Sequence, residues 1–225
     1  MTPLPFQAVL FDMDGTLVDT EPLWQRAEVE MMSRYGLPWT DADQAHCLGG
    51  SSARVSKYMI GLIEASGQRA PEPAELANTF MDNMLAQLRE FPPVALPGVD
   101  ELLREVRDTG IPTALVTSST EPLMNAVLDA IGRDWFDVTV HSGSVKHHKP
   151  DPEPYLLAAQ LLSVDPHKSI AIEDSPTGAD SATSAGCFVV AIEHMAPIKQ
   201  QERRKVVTNM SEVTLPWLID RYCDG

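Results

Sequence analysis

Two aspartates one residue apart follow directly on an unbroken apolar run: Ala8-Val9-Leu10-Phe11 leads into Asp12-Met13-Asp14-Gly15-Thr16. In an extended segment the side chains at i and i+2 share a face, so Asp12 and Asp14 can serve one reaction centre. One carboxylate can attack phosphorus while the other moves protons to and from the leaving oxygen and water. Gly15 lets the chain turn sharply straight after them. An isolated Asp-Gly after a strand is commonly no more than a turn, whereas the full five-residue string behind a buried strand is far more specific.

Other polar residues end apolar runs in the same way. Thr113-Ala114-Leu115-Val116 leads into Thr117, Ile170-Ala171-Ile172 into Glu173-Asp174, and Phe188-Val189-Val190-Ala191-Ile192 into Glu193. Runs without alternation suit strands buried on both faces of a parallel sheet, and Val138-Thr139-Val140 is a weaker candidate strand. Helical stripes lie between them: Val99, Leu102, Leu103 and Val106, then Pro122–Ile131, Tyr155–Leu162, and a helix opened by Ser175-Pro176. Alternating strands and helices predict an α/β, Rossmann-like parallel-sheet core. Ligands of such sheets collect at the carboxyl ends of the strands, and Asp12, Thr117 and Asp174 stand there.

Residues 19–92 read differently. Trp24, Ala27, Met31 and Tyr35 have helical spacing, as do Val55, Met59, Leu62 and Ile63, and then Leu76, Phe80, Met84 and Leu88. This interval is expected to be an inserted α-helical cap domain, its stripes packing its own core. Residues 1–18 and 93–225 form the expected core domain, entered again at Pro92-Pro93 and Pro97-Gly98.

Composition excludes several classes. Lys and Arg total 17 against 32 Asp and Glu, for a formal charge of -15, which argues against a nucleic-acid partner. The three cysteines, Cys47, Cys187 and Cys223, show neither disulfide-framework nor zinc spacing. With no signal-peptide pattern and no stretch of membrane-spanning length, the expectation is a cytoplasmic protein that avoids membranes.

Asp12-Met13-Asp14-Gly15-Thr16, Thr117-Ser118-Ser119, Lys149-Pro150 and Glu173-Asp174-Ser175 resemble, in order and spacing, the four motifs of the haloacid dehalogenase superfamily in its phosphatase and phosphomutase members. The likeness covers essentially the whole chain. It implies that Asp12 is a nucleophile that becomes phosphorylated and Asp14 the general acid/base. Thr117 and the Ser118 backbone would bind phosphate, with Lys149 neutralising charge. It also implies Mg²⁺ held by Asp12, the Asp14 carbonyl and Asp174, with Glu173 behind them. A charge count agrees: four converging carboxylates face Lys149 before any phosphate dianion arrives. A divalent ion with oxygen ligands relieves that crowding.

Within the superfamily, Asp14 argues against dehalogenase chemistry. Lys57, the single lysine between 19 and 92, is poorly placed for a phosphonatase Schiff base. β-Phosphoglucomutase is the serious alternative, but Trp24 and Leu48 stand near its histidine and lysine positions, and Thr120-Glu121 replaces its Lys-Asn. Gly49-Gly50-Ser51-Ser52 lacks the ending of a nucleotide-binding loop; with Trp24, the segment Leu48, Gly49, Gly50, Ser51 and Ser52 is a candidate specificity loop. His141, His147 and His148 show no transition-metal spacing. A non-catalytic protein on this fold is disfavoured because none of the motif residues is needed for folding. The expectation is an Mg²⁺-dependent phosphoric monoester hydrolase acting on a small phosphorylated metabolite, a sugar or polyol phosphate. Exhaustive chelation should abolish turnover of an aryl phosphate, and Mg²⁺ but not Ca²⁺ should restore it; full turnover in chelator would refute this.

Overall fold

The computed structural model describes residues 4–47, 52–193 and 196–224. The chain opens on strand β1 (Ala8–Phe11) and continues through helices α1 (Glu21–Ser33), α2 (Asp41–Cys47), α3 (Ser52–Ala65) and α4 (Pro73–Glu90). Then follow α5 (Val99–Thr109), β2 (Thr113–Val116), α6 (Glu121–Ile131), β3 (Val138–Val140) and α7 (Glu153–Leu162). The last elements are β4 (Ser169–Glu173), α8 (Pro176–Ser184), β5 (Phe188–Ile192), β6 (Arg204–Val207) and α9 (Leu215–Cys223). They form two compact units, Met1–Asp19 with Pro93–Gly225, and Thr20–Pro92. No described helix is long and apolar enough to cross a membrane.

The first unit holds a six-stranded sheet of order β3-β2-β1-β4-β5-β6, parallel at every pairing. Every residue of β1, β2, β4 and β5 is buried, which is why these runs show no polar alternation. β1 lies between β2 and β4, and its register pairs Phe11 with Leu115 and with Ile172. One residue further along, Asp12, Val116 and Glu173 reach the carboxyl edge together, followed by Thr117 and Asp174. That register turns sequence-distant residues into neighbours.

β6 and α9 had no expected counterpart. β6 begins Arg204-Lys205, which reads as surface, yet Arg204 is only 2% exposed. Its guanidinium donates to Ala179 O (2.8 Å), Asp180 Oδ1 (2.7 Å) and Thr183 Oγ1 (2.6 Å). A fully bonded arginine is tolerated where an unpaired one is not.

In the second unit, α1 packs on α4 through Leu23, Ala27, Met31 and Met32 on one side and Leu76, Phe80, Met84 and Leu88 on the other. The buried face of α1 therefore differs from the expected stripe. Trp24 is half-buried against Phe80, ring centroids 5.6 Å apart, and Tyr35 lies beyond the helix end. α2, also unexpected, is opened by Thr40: its N–H and hydroxyl donate to Asp43 Oδ2 while Asp43 N–H donates back to Thr40 Oγ1. Of the cysteines, Cys47 and Cys187 are buried thiols and Cys223 is exposed.

Glu28 is the unexpected member of the α1 face. It is buried, and its Oε2 has no hydrogen-bond partner among the described residues. Burial, reinforced by Glu21 and only partly offset by Trp39 and Gln44, pushes its carboxyl up to about 7. A carboxyl raised in the folded state holds a proton that the unfolded chain releases, so stability falls as pH rises from the ordinary glutamate range to about 7 and is level above it. Glu28→Gln should therefore stabilise the protein by about 1 kcal/mol at about pH 8, the gain shrinking toward about pH 5. Denaturant unfolding across that range checks this; a gain independent of pH would refute it.

Candidate active site

The site forms where β1, β2 and β4 end. Asp12 leaves β1 with its N–H bonded to Ile172 O at 2.9 Å. Its carboxylate Oδ1 accepts from Lys149 Nζ at 2.7 Å. The same ammonium donates to Glu173 Oε1 at 2.6 Å and to Val116 O at 2.8 Å. Lysine has three N–H donors, and all three are used. Lys149, 5% exposed at its side chain, meets Asp12 at 9% and Glu173 at 0%. Desolvation of this order makes the pairing compulsory.

Glu173 is held from several sides. Tyr155, completely buried, donates its hydroxyl to Oε1 at 2.6 Å, and Ser175 Oγ donates to Oε2 at 3.2 Å. Ser175 also caps α8, accepting from Gly178 N–H at 3.0 Å. A β-carbon at Gly178 would collide with the Glu173 carboxylate, so only glycine lets α8 approach this closely.

Asp14, half-buried, lies at the neighbouring turn. Its Oδ2 accepts from Ser119 Oγ at 2.8 Å, with Thr117 Oγ1 at 3.4 Å. The 117–119 turn is itself fixed by Thr117 N–H to Val140 O and Ser119 N–H to Thr117 Oγ1. It leads into α6, whose first-turn N–H groups favour an anion. Ser118 is exposed at the apex of this turn.

The carboxylates of Asp12, Glu173 and Asp174 have ligand atoms within 4.8 Å of one another. Burial first, then Glu173, pushes Asp12 up to about 7 despite Lys149; burial, Asp12 and Glu173 push Asp174 up to about 9. Burial alone would lower Lys149, but Asp12 and Glu173 outweigh it and hold the ammonium firmly protonated. One lysine does not balance this acidity. A β-carbon on Gly15 would strike the Asp174 carboxylate, so that carboxylate rests directly on the turn after Asp14. An all-oxygen, carboxylate-rich cluster with raised carboxyls fits a divalent cation of the Mg²⁺ type.

The chain thus brings together Asp12, Asp14, Thr117, Lys149, Glu173 and Asp174, six of the expected site residues. Trp24 belongs to the helical unit. Leu48, Gly49, Gly50 and Ser51 lie outside the described residues, and Ser52 opens α3. Sequence reading missed Tyr155, Ser119 as an Asp14 partner, and Gly178. It also missed that His147 faces carboxylates: its Nδ1 is 2.7 Å from Glu153 Oε2, and with Asp151 the ligand atoms lie within 4.8 Å. Glu153 already accepts the N–H groups of Lys146 and His147, so the group reads as a staple on the segment carrying Lys149.

A family model described as haloacid dehalogenase-like hydrolase matches residues 9–192. The chain belongs to the haloacid dehalogenase-like hydrolases. Among its relatives, hexitol phosphatase A of Escherichia coli (strain K12) is 33% identical over 210 residues, covering 92% of each chain. The fructose-1-phosphate phosphatase YqaB of the same strain is 33% identical over 190 residues, 83% of this chain and 96% of that protein. The crystal structure of a putative β-phosphoglucomutase from Thermotoga maritima superposes with a TM-score of 0.75 at 29% identity, covering 92% of this chain and 95% of that one. The expectation of a phosphoric monoester hydrolase agrees with the family and with the activities for which these phosphatases are named.

Gly178→Ala should displace Glu173 and with it Lys149, lowering turnover of p-nitrophenyl phosphate by at least about 100-fold. Gly61→Ala, on an exposed helix position with nothing within 4 Å, should leave it unchanged. Equal activity of the two variants would refute the packing argument.

Proposed function

We propose that this protein is an Mg²⁺-dependent phosphomonoesterase of sugar or polyol phosphates, working through an aspartyl-phosphate on Asp12. The observation that carries the reading is Lys149 clamped to one oxygen of Asp12 within a cluster too acidic for one lysine. The clamp orients Asp12 so that its other oxygen is the attacking atom. Asp12 forms a bond to phosphorus as the phosphorus–oxygen bond to the sugar breaks. Asp14, aimed by Ser119 and Thr117, gives its proton to the departing oxygen. Water then attacks phosphorus, Asp14 takes its proton, and the bond to Asp12 breaks to release inorganic phosphate.

Thr117 and the Ser118 N–H hold the phosphate at the start of α6. Asp12, Asp174 and the Asp14 carbonyl would hold the ion, whose positive charge would offset the negative charge of the carboxylates and phosphate. The substrate class is supported by the relatives named for hexitol and fructose-1-phosphate hydrolysis. Trp24 is proposed to contribute to selectivity, with residues 48–52.

The second reading is phosphomutase, favoured by the structural likeness to a putative β-phosphoglucomutase. Net hydrolysis is preferred because Trp24 and Leu48 replace the histidine and lysine of the mutase pattern. Phosphorus NMR on a panel of sugar phosphates, including β-glucose 1-phosphate with a bisphosphate primer, separates the two. Steady phosphate release, lost in Asp12→Asn, is the expected outcome. Stoichiometric conversion to glucose 6-phosphate without free phosphate would establish the mutase, and undiminished release by Asp12→Asn would refute the covalent mechanism.

A further inference from the structure

We infer that Tyr155 is a positioning residue, its hydroxyl steadying Glu173 so that Lys149 stays on Asp12. The inference rests on the proposed role of Asp12 as nucleophile and extends the working machinery into α7.

Lys149 stands between two carboxylates that compete for it, Asp12 Oδ1 at 2.7 Å and Glu173 Oε1 at 2.6 Å. The Tyr155 hydroxyl donates to that same Glu173 oxygen at 2.6 Å. A second short donor on Oε1 takes up part of its charge and weakens its pull on the ammonium. The other oxygen, Oε2, is served by the longer contacts from Ser175 N–H at 3.4 Å and Oγ at 3.2 Å. The phenol therefore bears on the atom that contends with the nucleophile.

The ring also takes part. Lys149 Nζ lies 5.2 Å from the Tyr155 ring centroid, within cation–π range. Burial, with Glu173 and Asp12 nearby, raises the phenol well above its usual range, so it remains a donor across neutral pH. Its place in the chain favours the role too. Tyr155 sits in the first turn of α7, six residues after Lys149, so one short segment supplies both the ammonium and the group that balances its second acceptor. Packing alone would need the ring and not the hydroxyl.

Tyr155→Phe keeps the ring and removes the donor. Glu173 should then draw the ammonium away from Asp12, lowering kcat for p-nitrophenyl phosphate about tenfold with KM little changed. On a Glu173→Gln background the same substitution should cost little, because the charge that it balances is gone. Heteronuclear NMR of isotope-labelled lysines gives a readout that needs no turnover. The buried Lys149 ammonium should yield a slowly exchanging signal, assigned by its loss in Lys149→Arg, and Tyr155→Phe should shift or broaden it. An unchanged signal overturns the inference, as does unchanged kcat or an equal loss on both backgrounds in an active enzyme. A wild-type protein that turns over no phosphomonoester would defeat the proposed function, and the NMR comparison would still decide the placement of Tyr155.

Discussion

A single buried ammonium holds this site in order. Lys149 binds the ends of three strands through Asp12 after β1, Val116 O on β2 and Glu173 on β4. Each contact satisfies a group that would be costly to bury alone, and removal of a buried charge partner typically costs about 3–5 kcal/mol. The same lysine is outnumbered. Asp12, Glu173 and Asp174 have ligand atoms within 4.8 Å of one another, and burial together with their mutual repulsion raises the carboxyls of Asp12 and Asp174.

Sheet register delivers this arrangement. With β1 flanked by β2 and β4, the residues that follow Phe11, Leu115 and Ile172 emerge side by side. Two glycines then permit approaches that no side chain would allow, Gly15 against Asp174 and Gly178 against Glu173. Most of the candidate site thus lies at strand ends, and its close contacts depend on two positions where no side chain would fit.

Much of the core was legible from local pattern. β1, β2, β4 and β5 are unbroken apolar runs because they are buried on both faces, and three of the four motifs sit where such a run stops, Lys149-Pro150 lying instead in the loop before α7. What was hidden depended on partners far along the chain. Ser119 reaches Asp14 across 105 positions and Tyr155 reaches Glu173 across 18; hydrophobic periodicity records no such pairing. Arg204 disguised β6 because a charged residue reads as solvent-facing until its bonds to α8 are seen. Glu28 is hidden on α1 because a charged type reads as solvent-facing although its side chain is buried.

The unequal burial of the thiols divides the molecule into inert and addressable sulfur. Burial pushes Cys47 up to about 11 and Cys187 up to about 12, so at neutral pH the thiolate that reacts with electrophiles is scarce at both. Cys223, near the end of α9, is exposed. A maleimide dye or surface tether should therefore attach first at Cys223, on an element that supplies none of the residues gathered at the carboxylate site, so that the sequence carries its own handle for fluorescence or immobilisation.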